Sequence, residues 1–169
     1  MSTHMAKQIV TAESAYVLQA LTDPAACGRW APIAFTTDQP PGERLQAGTR
    51  TRLHGRIAGR NVTFEIHVVA ADERGLSLRA TGPVRFEVDY RLTRAVRRTL
   101  IEAQITLAQT GGIAGAFIAR ATNAMLSAGA LRFALRKVAA ESEQLQQTAR
   151  TKRDRRPRTA SRRLVVVNG

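Results

Sequence analysis

The stretch IVTAESAYVLQALTDPAACGRWAP, Ile9–Pro32, carries the decisive pattern in this chain. It opens inside AKQIVTA (6–12), which reads as a short strand. In AESAYVLQAL that follows, Ala15, Val17, Leu18 and Leu21 fall at helical spacing, with Glu13 near the positive end of the helix dipole. Thr22 or Asp23 then caps a second helix that starts at Pro24, a position where a missing N–H costs nothing, and Pro32 ends it. The same stretch gathers Asp23, the only cysteine (Cys27) and the only tryptophan (Trp30). A nucleophilic thiol needs a base or strongly positive surroundings. No histidine lies in the segment, and on so short a helix Arg29 faces away from its neighbour. Asp23 is therefore read as a helix cap and Cys27 as a small buried packing residue.

Beyond the loop PPGERLQAGT (40–49) the period changes from helical to alternating. Thr51, Leu53, Gly55 and Ile57 alternate with Arg50, Arg52, His54 and Arg56, and Gly59–Arg60–Asn61 reads as a turn. Val62, Phe64, Ile66 and Val68 share the next apolar face, ADERG turns the chain, and Leu76 and Leu78 continue inward. In VRFEVDYRL, Val84, Phe86, Val88, Tyr90 and Leu92 alternate with Arg85, Glu87, Asp89 and Arg91. After RAVRR a last strand points Ile101, Ala103, Ile105 and Leu107 inward. Consecutive strands with short connections predict an antiparallel meander, apolar on one face and wet on the other.

After Gly111–Gly112 the helical period returns. Ile113, Phe117, Ala121, Ala124, Met125, Ala128, Leu131, Leu135 and Val138 recur every three or four residues, which predicts one helix of about 33 residues, roughly 50 Å long. A sheet with one wet face must bury the other, and this helix is the element large enough to cover it. Arg150–Arg163, RTKRDRRPRTASRR, has seven arginines, one lysine and one aspartate, a net +7 within a chain of net charge +13. The reading is a folded domain over 5–147 and a basic, disordered tail over 148–169, with Met1–Met5 a short leader outside the fold.

The 169 residues suffice for one domain with a sizeable core. One cysteine forms no internal disulfide and no paired-cysteine zinc site, which fits a reducing cytosol, and a cytoplasmic location is expected. No apolar run has a membrane span's length, and arginine outnumbering lysine 23 to 3 beside many alanines suggests a GC-rich bacterial genome.

This order of elements resembles the SRPBCC superfamily, whose helix-grip fold includes START-like lipid-binding domains and the polyketide cyclase/dehydrase group. The likeness rests on the opening strand and helix, the L-T-D-P run followed by W-x-P (Trp30–Pro32), VDYRL in a late strand, and the Gly–Gly break into an amphipathic terminal helix. It implies an α+β fold in which a curved antiparallel sheet wraps a long C-terminal helix, with two short helices near the N-terminus and an apolar cavity between sheet and helix. On that reading the protein binds or transports a hydrophobic small molecule: a lipid, polyketide or quinone-like compound. Trp30, Phe64, Phe86, Tyr90, Phe117, Ala121 and Met125 are expected to line the cavity, Trp30 as a lid at one end, with Ala121, Ala124 and Ala128 leaving room.

Two alternatives accompany this reading. A cyclase or dehydratase activity, implied by the same resemblance, needs a titratable group in the pocket. Glu65, Glu87, Asp89 and Glu102 all fall on the wet face, leaving Tyr90, with Arg52 or Arg120 turned inward only by a one-residue register slip. Tyr90 itself reads either as a donor to a ligand carbonyl or as a core tyrosine with its hydroxyl at the cavity edge. No catalytic residue, cofactor or metal site is assigned: His54 and His67 sit on the polar side without acidic or cysteine partners at ligand spacing. The other alternative is an interaction module, in which the 150–163 run makes weak, non-specific contact with nucleic acid or an anionic membrane. Without interleaved aromatics, base stacking is not expected there.

Overall fold

The alternating segments pair edge to edge, as a chain with one apolar face per strand must if its backbone polar groups are to be satisfied. The computed structural model describes residues 1–156. Along it run β1 (Ser2–Val10), α1 (Ser14–Thr22), α2 (Pro24–Trp30), β2 (Phe35–Thr37), β3 (Arg50–Ile57), β4 (Arg60–Asp72), β5 (Gly75–Thr81), β6 (Val84–Ala95), β7 (Arg98–Gln109), α3 (Ile113–Ser127) and α4 (Ala130–Asp154). All seven strands form one antiparallel sheet in the order β1-β7-β6-β5-β4-β3-β2. The α+β helix-grip architecture expected from the sequence is the one observed. The inward register also holds: Val62, Phe64, Ile66, Val68, Leu76, Tyr90, Leu92, Ile101 and Leu107 are all buried. Arg52 and Arg120 are exposed, so no strand has slipped.

Several details differ from the expectation. The first strand begins at Ser2 rather than residue 6, because Ser2–Val10 pairs along Leu107–Thr99 of β7. The supposed leader is thus a sheet edge, and His4 Nε2 lies 2.7 Å from Asn123 Oδ1 of α3. The β3–β4 turn is Ala58–Gly59, both at positive φ, which fits a two-residue hairpin twisted in the sense of its strands. A bulge between Val68 and Ala70 bends β4 and helps curl the sheet. In α1, Val17, Ala20 and Leu21 are buried, but Ala15 is exposed.

The largest correction concerns the terminal helix, which is two helices. Gly129, at φ +100, adopts the left-handed conformation that ends a helix, and its N–H donates to the Leu126 carbonyl at 3.1 Å. The break allows α3 and α4 to serve different parts of the sheet. Helix α4 packs on β1 and α1, building a core with Val10, Val17, Leu21, Leu135 and Val138. Helix α3 crosses β6 and β7 and closes a second core around Ile57, Phe64, Val84, Leu107 and Ile118.

The face that α3 buries is Gly115, Ile118, Thr122 and Leu126, rotated by about one residue from the expected stripe. Gly115 accounts for the rotation. A Cβ there would lie 2.4 Å from the Thr110 carbonyl oxygen and 2.7 Å from that of Pro83, so only a residue without a side chain lets α3 approach the β5–β6 turn. Ile113 and Phe117 consequently face outward, 92% and 45% exposed, and Ala124 and Ala128 are exposed as well. At the other end, α4 continues through residue 147 to Asp154, so the helix runs into the basic segment instead of stopping before it. The remainder of the expected tail, 157–169, lies outside the described residues. Among the described residues, no helix is long and apolar enough to cross a membrane.

Candidate functional site

Between the two cores the sheet and helices do not meet, and a cavity of about 250 Å³ remains. Its floor is the concave face of β3–β7, represented by Phe64, Leu78, Phe86 and Tyr90. Its sides are α2 (Cys27, Trp30), the segment after it (Ile33, Phe35), and the second half of α3 (Thr122, Met125, Leu126). No residue of α4 reaches it. The cavity therefore lies between the sheet and α3, not against the long C-terminal helix.

Leu45 closes one side, carried by the loop between β2 and β3. That loop is clipped to the end of α1: the Leu45 N–H donates to the Thr22 carbonyl at 2.8 Å. Arg44 Nε and Nη2 donate to Thr22 Oγ1 at 3.0 and 2.8 Å, and the same hydroxyl donates to the Leu18 carbonyl at 2.7 Å.

Of the seven residues expected in the lining, Trp30, Phe64, Phe86, Tyr90 and Met125 are brought together here. Phe117 and Ala121 are not part of the wall. Phe117 lies on the outer side of α3, with the Arg60 guanidinium 5.2 Å from its ring centre, and Ala121 packs against the second core. Trp30 is wall rather than lid: it is buried, and its ring meets that of Tyr90 edge-on at 6.1 Å. Phe64 and Phe86 pack at 5.3 Å on the opposite side.

The chemistry of the wall is defined by its few polar groups. Among the described residues, no Asp, Glu, Lys, Arg or His lines the cavity. Trp30 Nε1–H donates to the Ala20 carbonyl at 2.8 Å, and the Cys27 thiol donates to that of Leu21 at 3.3 Å. Thr37 and Thr51 hydroxyls bond each other at 3.2 Å. Burial, and then the carboxylate of Asp23, push the Cys27 thiol up to about 12, so it stays protonated and non-nucleophilic near neutrality. Asp23 does cap α2, accepting from the Ala25 N–H at 3.0 Å. Arg29 turns away and pairs with Glu141 at 2.7 Å. Burial raises the Tyr90 phenol far above its ordinary value, which leaves it a neutral hydroxyl.

Thr122 is one of several wall residues that the sequence reading missed, with Ile33, Phe35 and Leu45 among the others. Thr122 is 3% exposed, and its Oγ1 is buried without a hydrogen-bond partner among the described residues. The signal was present as the spacing Gly115–Ile118–Thr122–Leu126, an alternative stripe on the same helix that the more apolar Ile113–Phe117 stripe obscured.

The wet face of the sheet carries a second, wider depression of about 860 Å³, edged by Arg50, Arg52, Glu65, His67 and Arg79. It is open to solvent and its charges partly pair with each other, as in Arg52–Glu65 at 4.0 Å, so it reads as ordinary hydrated surface. His54, expected to lack an acidic partner, meets Asp38 at 3.1 Å because β2 folds back beside β3. Among the described residues no three His, Cys, Asp or Glu side chains gather into a metal-holding group.

No family model matches the chain, and no curated protein matches it. Solved structures do. TTHA0849 from Thermus thermophilus aligns over 85% of this chain and 99% of its own, at 16% identity and TM-score 0.66. DynU16, a protein of the dynemicin biosynthetic locus, aligns over 86% of this chain at 21% identity and TM-score 0.56; this chain spans only 49% of its length. Ara h 8.0201 aligns over 82% of this chain and 98% of its own, at 14% identity and TM-score 0.55. At these identities the likeness is one of fold alone: the chain shares their helix-grip architecture.

Proposed function

We propose that this protein binds a hydrophobic small molecule in the cavity between the sheet and α3, acting as a carrier or sensor rather than as an enzyme. The observation that carries this reading is a cavity of about 250 Å³ walled mainly by apolar side chains, with no charged residue among the described residues that line it. Such a space is stabilised by filling it with a molecule that leaves water, at roughly 25 cal/mol per Å² of apolar surface buried. A cyclase or dehydratase would need a group that exchanges protons near neutrality, and both titratable side chains of the wall, Cys27 and Tyr90, are held protonated.

Trp30, the only tryptophan, stands in the wall and makes occupancy directly readable. Titrating the protein with tetralin, a two-ring hydrocarbon, is expected to change Trp30 emission saturably, and native mass spectrometry to show a bound small molecule after gentle purification. Ala80→Leu, which fills the cavity from β5, is expected to abolish the fluorescence response while the protein stays folded. An unresponsive Trp30 in the wild-type protein, together with no bound mass, would refute the reading.

A further inference from the structure

Helix α3 turns its more apolar stripe to solvent, the reverse of what a helix on a sheet ordinarily does. On its outer side Ile113, Phe117, Arg120, Ala124 and Ala128 follow one another at spacings of three and four, and all are exposed. Phe133, in the first turn of α4, is exposed as well. Scattered apolar residues on a surface need no explanation, but a row of them along one helix marks a face that a partner covers.

The charge around this face selects the partner. From residue 103 to 140 the chain holds four cations, Arg120, Arg132, Arg136 and Lys137, and no carboxylate. Arg60, at the β3–β4 hairpin, adds a fifth, its guanidinium over the Phe117 ring, and Lys137 Nζ lies 4.8 Å from the Phe133 ring centre. The elements packed against α3 are β1, β3, β6, β7 and α4. Neither β1 nor β3 carries an acid, and Glu87, Asp89 and Glu102 of β6 and β7 lie on the wet face of the sheet, away from α3. On α4, Glu141 pairs with Arg29, Glu143 accepts from the Thr11 N–H, and Asp154 stands at the far end. Among the described residues none of the five cations pairs with a carboxylate.

We propose that the outer face of α3 docks on an anionic lipid bilayer, with Ile113 and Phe117 entering the interface and Arg60 and Arg120 meeting lipid phosphates. A second copy of the chain would bring these arginines together with their own like, which an interface disfavours. Nucleic acid would take the arginines through its phosphates, but offers nothing to Ile113. A bilayer surface takes both: apolar side chains enter the acyl boundary while the cations stay at the headgroups. The cavity lies on the other side of α3, at Thr122, Met125 and Leu126, so docking uses none of its wall.

Cosedimentation of the full chain with vesicles tests this, using phosphatidylcholine alone or with one third phosphatidylglycerol. Wild type is compared with the double variants Ile113→Ser/Phe117→Ser and Arg60→Gln/Arg120→Gln, all of which keep the basic run 150–163; thermal melting shows that each is folded. Wild type is expected to bind the anionic vesicles at least tenfold more tightly than the neutral ones. The apolar variant is expected to lose at least fivefold on anionic vesicles. The charge variant is expected to lose about ten- to thirtyfold, at roughly fivefold per cation near such a surface. Wild type binding neither vesicle, or both equally, overturns the proposal. So does an apolar variant that binds like wild type, which assigns the contact to the 150–163 run. Duplex DNA is the competing probe: a loss by the apolar variant there as large as on vesicles overturns the bilayer in favour of nucleic acid. Tetralin binding, expected within twofold of wild type in both variants, reads the cavity separately, so its failure leaves the vesicle result standing.

Discussion

The unpartnered hydroxyl of Thr122 makes a prediction opposite in sign to the usual rule that core substitutions destabilise. Replacing Thr122 with valine exchanges the hydroxyl for a methyl of similar shape on the same β-branched frame, and the two residues have similar helix propensity. What changes is a buried oxygen that has lost water and gained no hydrogen-bond partner among the described residues. Removing it recovers the desolvation penalty, about 1 to 2 kcal/mol of added stability. For a chain of this length that raises Tm by about 2 to 8 °C.

The matched control is Thr22→Val at the end of α1, also on a helix and 2% exposed. There the hydroxyl donates to Leu18 and accepts twice from Arg44, so the same exchange removes three hydrogen bonds and loosens the loop that carries Leu45. It is expected to cost about 1 to 2 kcal/mol. Urea unfolding followed by Trp30 fluorescence reads both, with the midpoint moving up for Thr122→Val and down for Thr22→Val at unchanged slope. A Thr122→Val midpoint lower than wild type by about 1 kcal/mol or more would mean that the hydroxyl is satisfied, and the reasoning would be wrong.

Further outcomes follow from other features of the molecule. Gly115→Ala, a change that ordinarily favours a helix by about 1 kcal/mol, is expected to destabilise by about 2 kcal/mol here, because the new Cβ meets two backbone oxygens within 2.7 Å; thermal melting checks it, and an unchanged or raised Tm contradicts the close approach. Phe117→Ala is expected to leave tetralin affinity within twofold of wild type, whereas Phe86→Ala, in the wall, changes it; equal effects would place Phe117 in the site after all.

Cys27 supplies a pH dependence. Its thiol is raised in the folded protein from 9.0 to about 12, so above pH 9 the unfolded chain releases a proton that the native chain keeps. The associated stability is complete below pH 9 and is lost as pH climbs toward 12, with a slope approaching about 1.4 kcal/mol per pH unit. Denaturant midpoints from pH 8 to 10.5 are expected to fall more steeply for wild type than for Cys27→Ala, and parallel curves would show the thiol to be unperturbed.

Local rules were enough for much of this molecule. Alternation specified which side of each strand from β3 to β7 faces inward, because a one-residue shift would have exposed Phe64, Tyr90 and Ile101 together and buried Arg52 or Glu87 in their place. Asp23 before Pro24 specified the start of α2, since a cap acts on amides only two residues away. Contacts distant in sequence decided the rest. Gly129 inside a good helix-forming segment costs so little on its own that a continuous helix was the natural reading; only the separate docking of α3 and α4 makes the break worthwhile. The rotation of α3 was equally hidden. Two stripes compete on that helix, and Ile113–Phe117 is the more apolar, but the approach of Gly115 to the carbonyl oxygens of Pro83 and Thr110 selects the other. That seating, which needs the β5–β6 turn at Pro83 brought beside the start of α3, turns Phe117 outward and brings Thr122 to the cavity. The sequence by itself determined which face of each strand is apolar and turned inward, since hydrophobic periodicity is a local property, while a cavity between sheet and helix was only what the family resemblance implied. Which helix side chains line that space, and that Thr122 carries a buried hydroxyl without a partner among the described residues, was decided by how one helix seats on the sheet.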